Sequence, residues 1–147
     1  MAITKTGDRL VTRFFTKEGE NAFDTIKWEK RRAYIYDTKA DKALIDLEVE
    51  APDFWSDTAI NIAAYKYLRK KGVPVPEGRE TSIRQLIDRV ASTITQAGEE
   101  LGYFEGLEES KIFRDELTHL LLYQKGAFNS PVWFNVGLYH TYGRTSY

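Results

Sequence analysis

The chain has 147 residues, of which 42% are hydrophobic and 29% are charged, a balance typical of one soluble globular domain with a buried core. Its 21 basic and 22 acidic residues give a net charge of −1, which argues against a general nucleic-acid or membrane-surface binder, because such binding needs a net basic field. The lack of cysteine excludes disulfides, thiolate metal sites and a cysteine nucleophile within this chain, and two histidines cannot build a zinc site without several carboxylates.

Residues 1–53 are predicted to form a β-rich N-terminal segment. The polar start, Met1 to Asp8, has no hydrophobic run, so we expect no signal peptide, and no apolar segment reaches the ~18–20 residues that span a bilayer. These features predict a cytoplasmic protein without membrane contact. Aromatic and β-branched residues at 26–36 and period-two alternation at 45–51 predict two antiparallel strands, joined by a polar hairpin connection at 37–42.

Residues 54–125 carry three amphipathic helical patterns. The first opens at Ser56 or Asp57 and ends at Lys-Lys-Gly, positions 70–72. The second starts with a Ser-x-x-Gln capping-box pattern at 82–85 and repeats apolar residues on one face for about five turns, at positions 83, 86, 87, 90, 91, 94, 97 and 101.

The third helix is predicted from near Glu108 to Gln124, with Gly126 as its C-terminal stop. Its buried residues are expected at positions 113, 117, 120 and 121, with 112 as a further candidate. The expected fold class is therefore α+β, with a small N-terminal β element followed by a mainly α-helical bundle.

Residues 126–147 begin with an unusual mixture of turn-forming and large aromatic residues, Gly-Ala-Phe-Asn-Ser-Pro-Val-Trp-Phe-Asn-Val-Gly. Pro131 biases Ser130 toward an extended backbone and removes one amide donor. Asn129 and Ser130 can bond the backbone locally or direct donors at an anion. This segment is a candidate ligand-binding loop; the alternative is a structural turn whose Trp133 and Phe134 are anchored in the core.

Six blocks of sequence, in the same order, resemble the N-terminal region of the adenosylcobalamin (vitamin B12)-dependent class II ribonucleotide reductases. They are Trp-Glu-Lys-Arg at 28–31, Phe-Trp-Ser at 54–56, Lys-Tyr-Leu-Arg at 66–69, the run from Arg-Glu-Thr-Ser at 79–90, Gly-Tyr-Phe at 102–104 and the Asn-Ser-Pro loop at 129–131. No single block is decisive, but six in order make chance similarity improbable.

The resemblance implies a substrate site. In ribonucleotide reductases the residue before the proline of this loop contacts the substrate's phosphate or ribose, a role that carries to Ser130, with Asn129 as a supporting member of the same pocket. The family converts ribonucleotides to deoxyribonucleotides through an adenosylcobalamin-initiated thiyl radical and a reducing cysteine pair. Because this chain has no cysteine, the resemblance implies that it positions substrate phosphates and is inactive alone.

The resemblance also implies partners and an architecture. The chain would be the N-terminal part of an α/β barrel enzyme, with 126–147 leading toward a catalytic barrel outside it. The cobalamin would be bound mainly by that remainder, which would be covalently continuous or a separate chain. The complete enzyme would act on a ribonucleotide with a thioredoxin-type reductant.

Three further sets of polar residues are interpreted as structural. The basic residues at 66, 69, 70 and 71, with Arg79, Arg84 and Arg89 nearby, are interpreted as a solvated face rather than a phosphate site. The alternating acids at 46, 48 and 50 are expected to face solvent. His119 is expected to be a hydrogen-bonded packing residue, and no role is assigned to His140.

Two alternative functions are weighed beside the reductase. One is a structural or docking domain for a larger catalytic subunit, with no direct ligand role. The other is a helix-turn-helix nucleic-acid binder whose second helix carries Arg84 and Arg89 into a groove. The net charge and the long apolar stripe of that helix disfavour the second alternative.

Overall fold

The computed structural model describes residues 9–143, which form an α+β arrangement of one two-stranded antiparallel sheet and several helices. In chain order the elements are a 3₁₀ turn (Ala22–Thr25), β1 (Trp28–Asp37), β2 (Lys42–Pro52), α1 (Asp57–Ile62), a π-helical turn (Ala63–Tyr67), α2 (Ile83–Glu100), α3 (Leu107–Leu122), α4 (Ser130–Asn135) and α5 (Leu138–Tyr142). Met1 to Asp8 and the last four residues of the predicted tail, Arg144 to Tyr147, lie outside the described residues.

The predicted hairpin of β1 and β2 is confirmed. Ile45, Val49 and Ala51 of β2 are buried, because successive side chains of a strand point to opposite faces and the apolar ones alternate with acids. These side chains join a core that includes residues of α1, the π-helical turn, α2 and α3. The sheet thus supplies one wall of a single hydrophobic core.

The outer face of the hairpin is charged, as predicted. Arg32 lies opposite Glu48 in the register and donates two hydrogen bonds of 2.8 Å to the carboxylate of Asp46. Asp46 and Glu48 are exposed, whereas Glu50 is half-buried and accepts a 2.8 Å hydrogen bond from the Ser82 hydroxyl. Glu50 therefore connects the sheet to the start of α2 instead of facing solvent alone.

The first helical segment ends earlier than predicted. α1 begins after Ser56, whose side chain accepts a backbone hydrogen bond from the first turn. The chain then widens into the π-helical turn, which the Leu68 amide closes by bonding the carbonyl of Ala63 at 2.9 Å. The helix stops at this i to i−5 bond, before the Lys-Lys-Gly sequence at 70–72.

α2 begins with the predicted capping box, in which both reciprocal bonds between Ser82 and Gln85 are formed. The predicted apolar residues at 83, 86, 87, 90 and 91 are buried. Further along, the prediction is wrong: Ala97 and Leu101 are exposed, whereas Thr95 and Gly98 are buried. α2 also packs against α3, and the buried side at this end of α2 consists of these small residues.

The aromatic turn between α2 and α3 accounts for Gly98. A Cβ on Gly98 would come within 2.6 Å of the Phe104 ring, so the ring occupies the space that a side chain would fill. Phe104 also packs on Phe113 of α3, with ring centroids 5.3 Å apart. The turn is therefore packed against both helices that it connects.

α3 ends at Leu122 and not near Gln124 as predicted. Gln124 adopts a positive φ of 56°, a left-handed conformation that an α-helix cannot continue, so Gly126 is not the stop. The buried face also differs from the prediction, because Leu121 is buried but Phe113, Leu117 and Leu120 are only half-buried. The other buried residues of α3 are the apolar Ile112 and Leu122 and the polar Glu109, Ser110, Asp115 and Thr118.

An arm without regular structure, residues 9–20, accounts for two of the buried polar residues, Glu109 and Asp115. Arg13 pairs with Asp115 at 2.9 Å, and backbone amides of the arm donate hydrogen bonds to the carboxylates of Glu109 and Glu116. The arm thus covers a polar face of α3, for which the sequence has no periodic signal. Across residues 9–143, no helix has both the length and the hydropathy needed to cross a membrane.

Candidate functional site

The Asn-Ser-Pro sequence lies at the start of α4, where a loop was predicted. Asn129 is the N-cap, with φ −73° and ψ 165°. Pro131 lies in the first helical turn, where backbone amides have no intrahelical acceptor, so the amide that proline lacks costs no hydrogen bond. The prediction that Ser130 is extended is therefore wrong, because Ser130 is the first helical residue and Asn129 is the extended one. The Asn129 carbonyl closes this turn by accepting from the amides of Val132 and Trp133 at 3.2 and 3.4 Å.

Ser130 is bonded to a residue from a distant part of the chain. Its Oγ lies 3.0 Å from the hydroxyl of Tyr67, the last residue of the π-helical turn. The Tyr67 ring packs near Trp133 and Phe134 of α4, with centroid distances of 6.3 and 5.5 Å. The half-buried Ser130 side chain therefore has a defined neighbour that sequence reasoning did not identify.

Asn129 lies beside Ser130 and is exposed. Its side chain makes no capping hydrogen bond to α4, although asparagine at this position commonly accepts one. An exposed carboxamide without this local bond can direct donors outward. Both residues predicted for the substrate site thus lie together at one end of α4.

The two aromatic residues predicted as core anchors behave differently. Trp133 is buried and packs edge-on against Phe128 at 5.9 Å between ring centroids. Phe134 is 41% exposed at the surface of α4, so the prediction of a core anchor is wrong for this residue. α4 is fixed by Trp133 on one side and presents Phe134 on the other.

A basic groove of about 490 Å³ adjoins α4. It is lined by Lys66, Tyr67, Leu68, Arg69, Lys70, Lys71, Phe134 and Asn135. Four of these residues are cations and none is a carboxylate, a composition that favours anions. Lys66, Lys70 and Lys71 are exposed, as predicted, whereas Arg69 is half-buried. All four line a concavity that includes Tyr67, the residue bonded to Ser130.

Arg89 is not part of the solvated basic face to which the sequence analysis assigned it. Its side chain and that of Glu80 are both 0% exposed, and they form a bidentate pair at 2.9 and 3.0 Å. The Glu80 carboxylate offsets the energetic cost of burying the guanidinium charge, so this arginine can lie in the protein interior. Because Arg89 is buried, it cannot enter a nucleic-acid groove, and the helix-turn-helix alternative loses one of its two cations.

The Arg89 guanidinium also holds the end of α4. It donates hydrogen bonds to the carbonyls of Val136 at 2.7 Å and Trp133 at 3.3 Å. From α5, the Tyr142 hydroxyl donates to Glu80 at 2.6 Å. Burial, followed by this hydrogen bond to a carboxylate, raises the pKa of Tyr142 well above its ordinary value of 10.0, so the phenol stays protonated.

His119 is a packing residue, as predicted. Its ring stacks between Phe15 and Tyr123, with centroid distances of 4.7 and 4.3 Å. Burial and the nearby charge of Lys125 lower the pKa of His119 from its ordinary 6.5, so the ring is neutral at neutral pH. His140 is exposed on α5, and among residues 9–143 no cluster of three or more histidines and acids is placed to hold a metal ion.

The family model and the curated relatives that match this chain all describe the same kind of enzyme. The family model described as class II vitamin B12-dependent ribonucleotide reductase matches residues 29–124. A vitamin B12-dependent ribonucleotide reductase of Streptomyces clavuligerus is 42% identical over 128 residues, which are 86% of this chain and 13% of the relative. That of Rhodopirellula baltica is 41% identical over 140 residues, which are 92% of this chain and 13% of the relative.

A third relative, the vitamin B12-dependent ribonucleotide reductase of Streptomyces avermitilis, is 41% identical over 135 residues, covering 91% of this chain and 14% of the relative. The chain therefore spans only 13–14% of the length of these relatives. The range matched by the family model ends at Gln124, before the Asn-Ser-Pro sequence.

Proposed function

Because the chain belongs to the class II, vitamin B12-dependent ribonucleotide reductase family and matches an N-terminal region of it, we propose that it helps an enzyme of this kind convert ribonucleotides to deoxyribonucleotides. Its own contribution is the positioning of substrate phosphates by Ser130 and Asn129. One observation carries this proposal. The Ser130 hydroxyl lies 3.0 Å from the Tyr67 hydroxyl, and the side chain of the neighbouring Asn129 makes no capping hydrogen bond to α4.

The chemistry of the surrounding surface supports a phosphate ligand. Phosphate oxygens accept hydrogen bonds, and a serine hydroxyl and an asparagine amide can both donate them. The basic groove at 66–71 places cationic side chains next to Tyr67. A hydrogen bond to such a charged acceptor contributes about 1.5–3 kcal/mol, enough to affect substrate binding by one to two orders of magnitude.

The chemical step is proposed to lie outside this chain. The chain contains no cysteine, so the thiyl radical and the reducing cysteine pair of such a reductase need residues that it does not have. We therefore expect the catalytic barrel and the cysteines in the remainder of the enzyme, and no turnover from the 147 residues alone. The chain would then consist of a β-rich segment at 1–53, a helical region at 54–125 and a connection toward that barrel at 126–147.

We infer that His119 is not a cobalamin ligand. His119, the more buried of the two imidazoles, is stacked between the rings of Phe15 and Tyr123, and the cavity beside it has a volume of about 160 Å³. A corrin ring is far larger than this cavity. We propose that adenosylcobalamin is bound mainly by other parts of the enzyme, and we assign no step in which it contacts this chain.

The partners follow from the same proposal. They are the remainder of the reductase, as one polypeptide or as a separate chain, a ribonucleotide, and a thioredoxin-type reductant for the complete enzyme. A cytoplasmic location would suit such an enzyme, whose product supports DNA synthesis. Neither nucleic acid nor membrane is among the proposed partners.

A docking role is the second candidate, supported by exposed apolar side chains. Leu107 is 82% exposed, Tyr139 is 76% exposed and Phe134 is 41% exposed. Such residues are suited to burial against the larger remainder of the enzyme. The two roles are compatible, and they are distinguished by whether ribonucleotide binding depends on Ser130 while assembly does not.

The first testable prediction concerns Ser130→Ala in the complete reductase. Loss of one hydrogen bond to a charged phosphate should lower kcat/KM about ten- to a hundredfold. Steady-state kinetics and a ribonucleotide dissociation constant would measure the effect. Ser92→Ala is the matched control, because Ser92 is also half-buried and its hydroxyl bonds Asp88 within α2. Wild-type kinetics for Ser130→Ala would rule out the proposed role.

A further inference from the structure

We propose that Tyr67 is a positioning residue of the substrate site, whose hydroxyl fixes the side-chain rotamer of Ser130 so that the serine donates its hydrogen bond to a substrate phosphate. This inference rests on the proposed function of Ser130 and extends it to a residue 63 positions earlier in the chain. Tyr67 touches Ser130 and acts through it.

The hydrogen-bond inventory sets the direction of the Tyr67–Ser130 bond in the bound state. A phosphate oxygen is an acceptor, so Ser130 must use its one hydroxyl hydrogen to donate to the phosphate. The Tyr67 hydroxyl, 3.0 Å from Ser130 Oγ, must then be the donor, and Ser130 accepts through a lone pair. The pair therefore forms a chain from tyrosine to serine to phosphate, in which each bond polarises the next.

A free serine side chain has three staggered rotamers, and a second bonding partner selects one of them. Ser130 is only half-buried, so its rotamer is not fixed by tight packing alone. The capping geometry does not fix it either, because no side-chain cap bond forms at the start of α4. Among residues 9–143, the Tyr67 hydroxyl is thus the group placed to select the side-chain rotamer of Ser130.

The position of the Tyr67 ring is itself well determined. The ring lies against Trp133 and Phe134, and the π-helical turn ends at this residue. The turn contains one residue more than an α-helical turn, which redirects the following side chains by about 100° around the axis. Single π-helical turns are concentrated at functional sites, where they aim a side chain that a regular helix would direct elsewhere.

The test is a double-mutant cycle in the complete reductase, with Tyr67→Phe, Ser130→Ala and the double variant. Tyr67→Phe removes only the hydroxyl and keeps the ring that packs on α4. We expect it to raise KM and the ribonucleotide dissociation constant about three- to tenfold, with kcat changed less, because a lost neutral hydrogen bond weakens binding to that extent. The same change in the Ser130→Ala background should add nothing further, since the partner is already absent.

Tyr65→Phe is the matched control, because Tyr65 lies on the same turn and its contact is the ammonium of Lys70 over its ring, 4.8 Å from the centroid. It should leave both constants at the wild-type values. The unfolding midpoint of each variant should also be measured, so that a loss of folded protein is separated from a loss of affinity.

The outcomes separate this inference from the proposed function. If Ser130→Ala weakens binding and Tyr67→Phe does not, or if the two effects are additive, Tyr67 does not position Ser130 although the serine role stands. If Ser130→Ala leaves binding unchanged, the proposed function fails and the Tyr67 inference fails with it. Equal weakening by Tyr65→Phe and Tyr67→Phe would mean that the effect belongs to the turn and not to the hydroxyl.

Discussion

Gly137, between α4 and α5, is where backbone conformation and packing both require glycine. Its φ is +87°, in the left-handed region that residues with a Cβ avoid. A Cβ there would also lie 2.5 Å from Cγ of Arg89 and 2.5 Å from its carbonyl oxygen. The segment can therefore turn back over Arg89 only if residue 137 has no side chain.

The prediction for this residue is that Gly137→Ala destabilises the chain more than Gly143→Ala. Gly143 also has a positive φ, +67°, but a Cβ there would meet nothing within 4 Å. The conformational penalty alone is about 1–2 kcal/mol, and the contact with Arg89 should add to it at Gly137. Urea unfolding of the 147-residue chain, followed by tryptophan fluorescence, would measure the unfolding free energy of both variants. Equal losses of stability would show that the Arg89 side chain moves away from the new Cβ at no energetic cost.

At the scale of elements, the arm at residues 9–20 depends on carboxylates of α3. The Glu116 carboxylate accepts hydrogen bonds from the amides of Phe14, Phe15 and Thr16 and from the Thr16 hydroxyl. Burial by itself raises the pKa of Glu116, but the hydrogen bonds to the carboxylate outweigh it and hold the pKa below its ordinary 4.5. The folded state therefore favours the ionised form.

This shift predicts that attachment of the arm is pH-dependent. Because the pKa of Glu116 is lower in the folded state, its stabilising effect is complete above about 4.5 and is lost as the pH falls through the folded-state value. Amide hydrogen exchange at Phe15 and Thr16, corrected for intrinsic rates, should show loss of protection in acid. Glu116→Gln should reduce the protection at neutral pH.

Glu108→Gln is the control for the arm, since Glu108 is exposed and bonds the Arg9 side chain rather than the amides of Phe15 and Thr16. It should leave the protection of Phe15 and Thr16 nearly unchanged at neutral pH. Full protection of these amides in acid would contradict the role assigned to the ionised Glu116.

At the scale of the whole molecule, the buried pair of Glu80 and Arg89 connects segments that are far apart in sequence. Arg89 belongs to α2 and reaches the carbonyls of Trp133 and Val136, while Glu80 accepts from Tyr142 and from the Arg69 amide at 2.8 Å. The helices on both sides of the basic groove therefore share one ionic centre. Damage to this pair should affect the entire fold and not one helix.

The corresponding prediction is that Arg89→Met destabilises the chain by about 3–5 kcal/mol, because it leaves the Glu80 carboxylate buried and without its cation. Urea unfolding would give the free energy. Lys30→Gln is the control, since Lys30 and Glu48 are 68% and 71% exposed at 3.7 Å, and such pairs contribute at most about 1 kcal/mol. If Arg89→Met lowered the free energy of unfolding no more than Lys30→Gln, water would have to reach the Glu80 carboxylate easily in the variant.

Local pattern was sufficient for much of the fold. Alternation of apolar and acidic residues predicted β2 and its buried face, and Ser82 with Gln85 predicted the start of α2. Pattern failed where a feature depends on a neighbour from elsewhere. The π-helical turn, the end of α3 at a left-handed Gln124 and the helix at 130–135 have no periodic signal in their own residues.

For the site, the sequence by itself determined the family resemblance, the lack of thiol chemistry and the choice of Asn129 and Ser130 as candidates, because these follow from residue identity and order. Only the tertiary structure decided that Tyr67 bonds Ser130, that Arg89 is buried with Glu80 and that the cations at 66–71 line a groove. Each of these is a contact between segments brought together by burial of the core. A contact of that kind depends on packing in three dimensions, which one sequence without its fold does not specify.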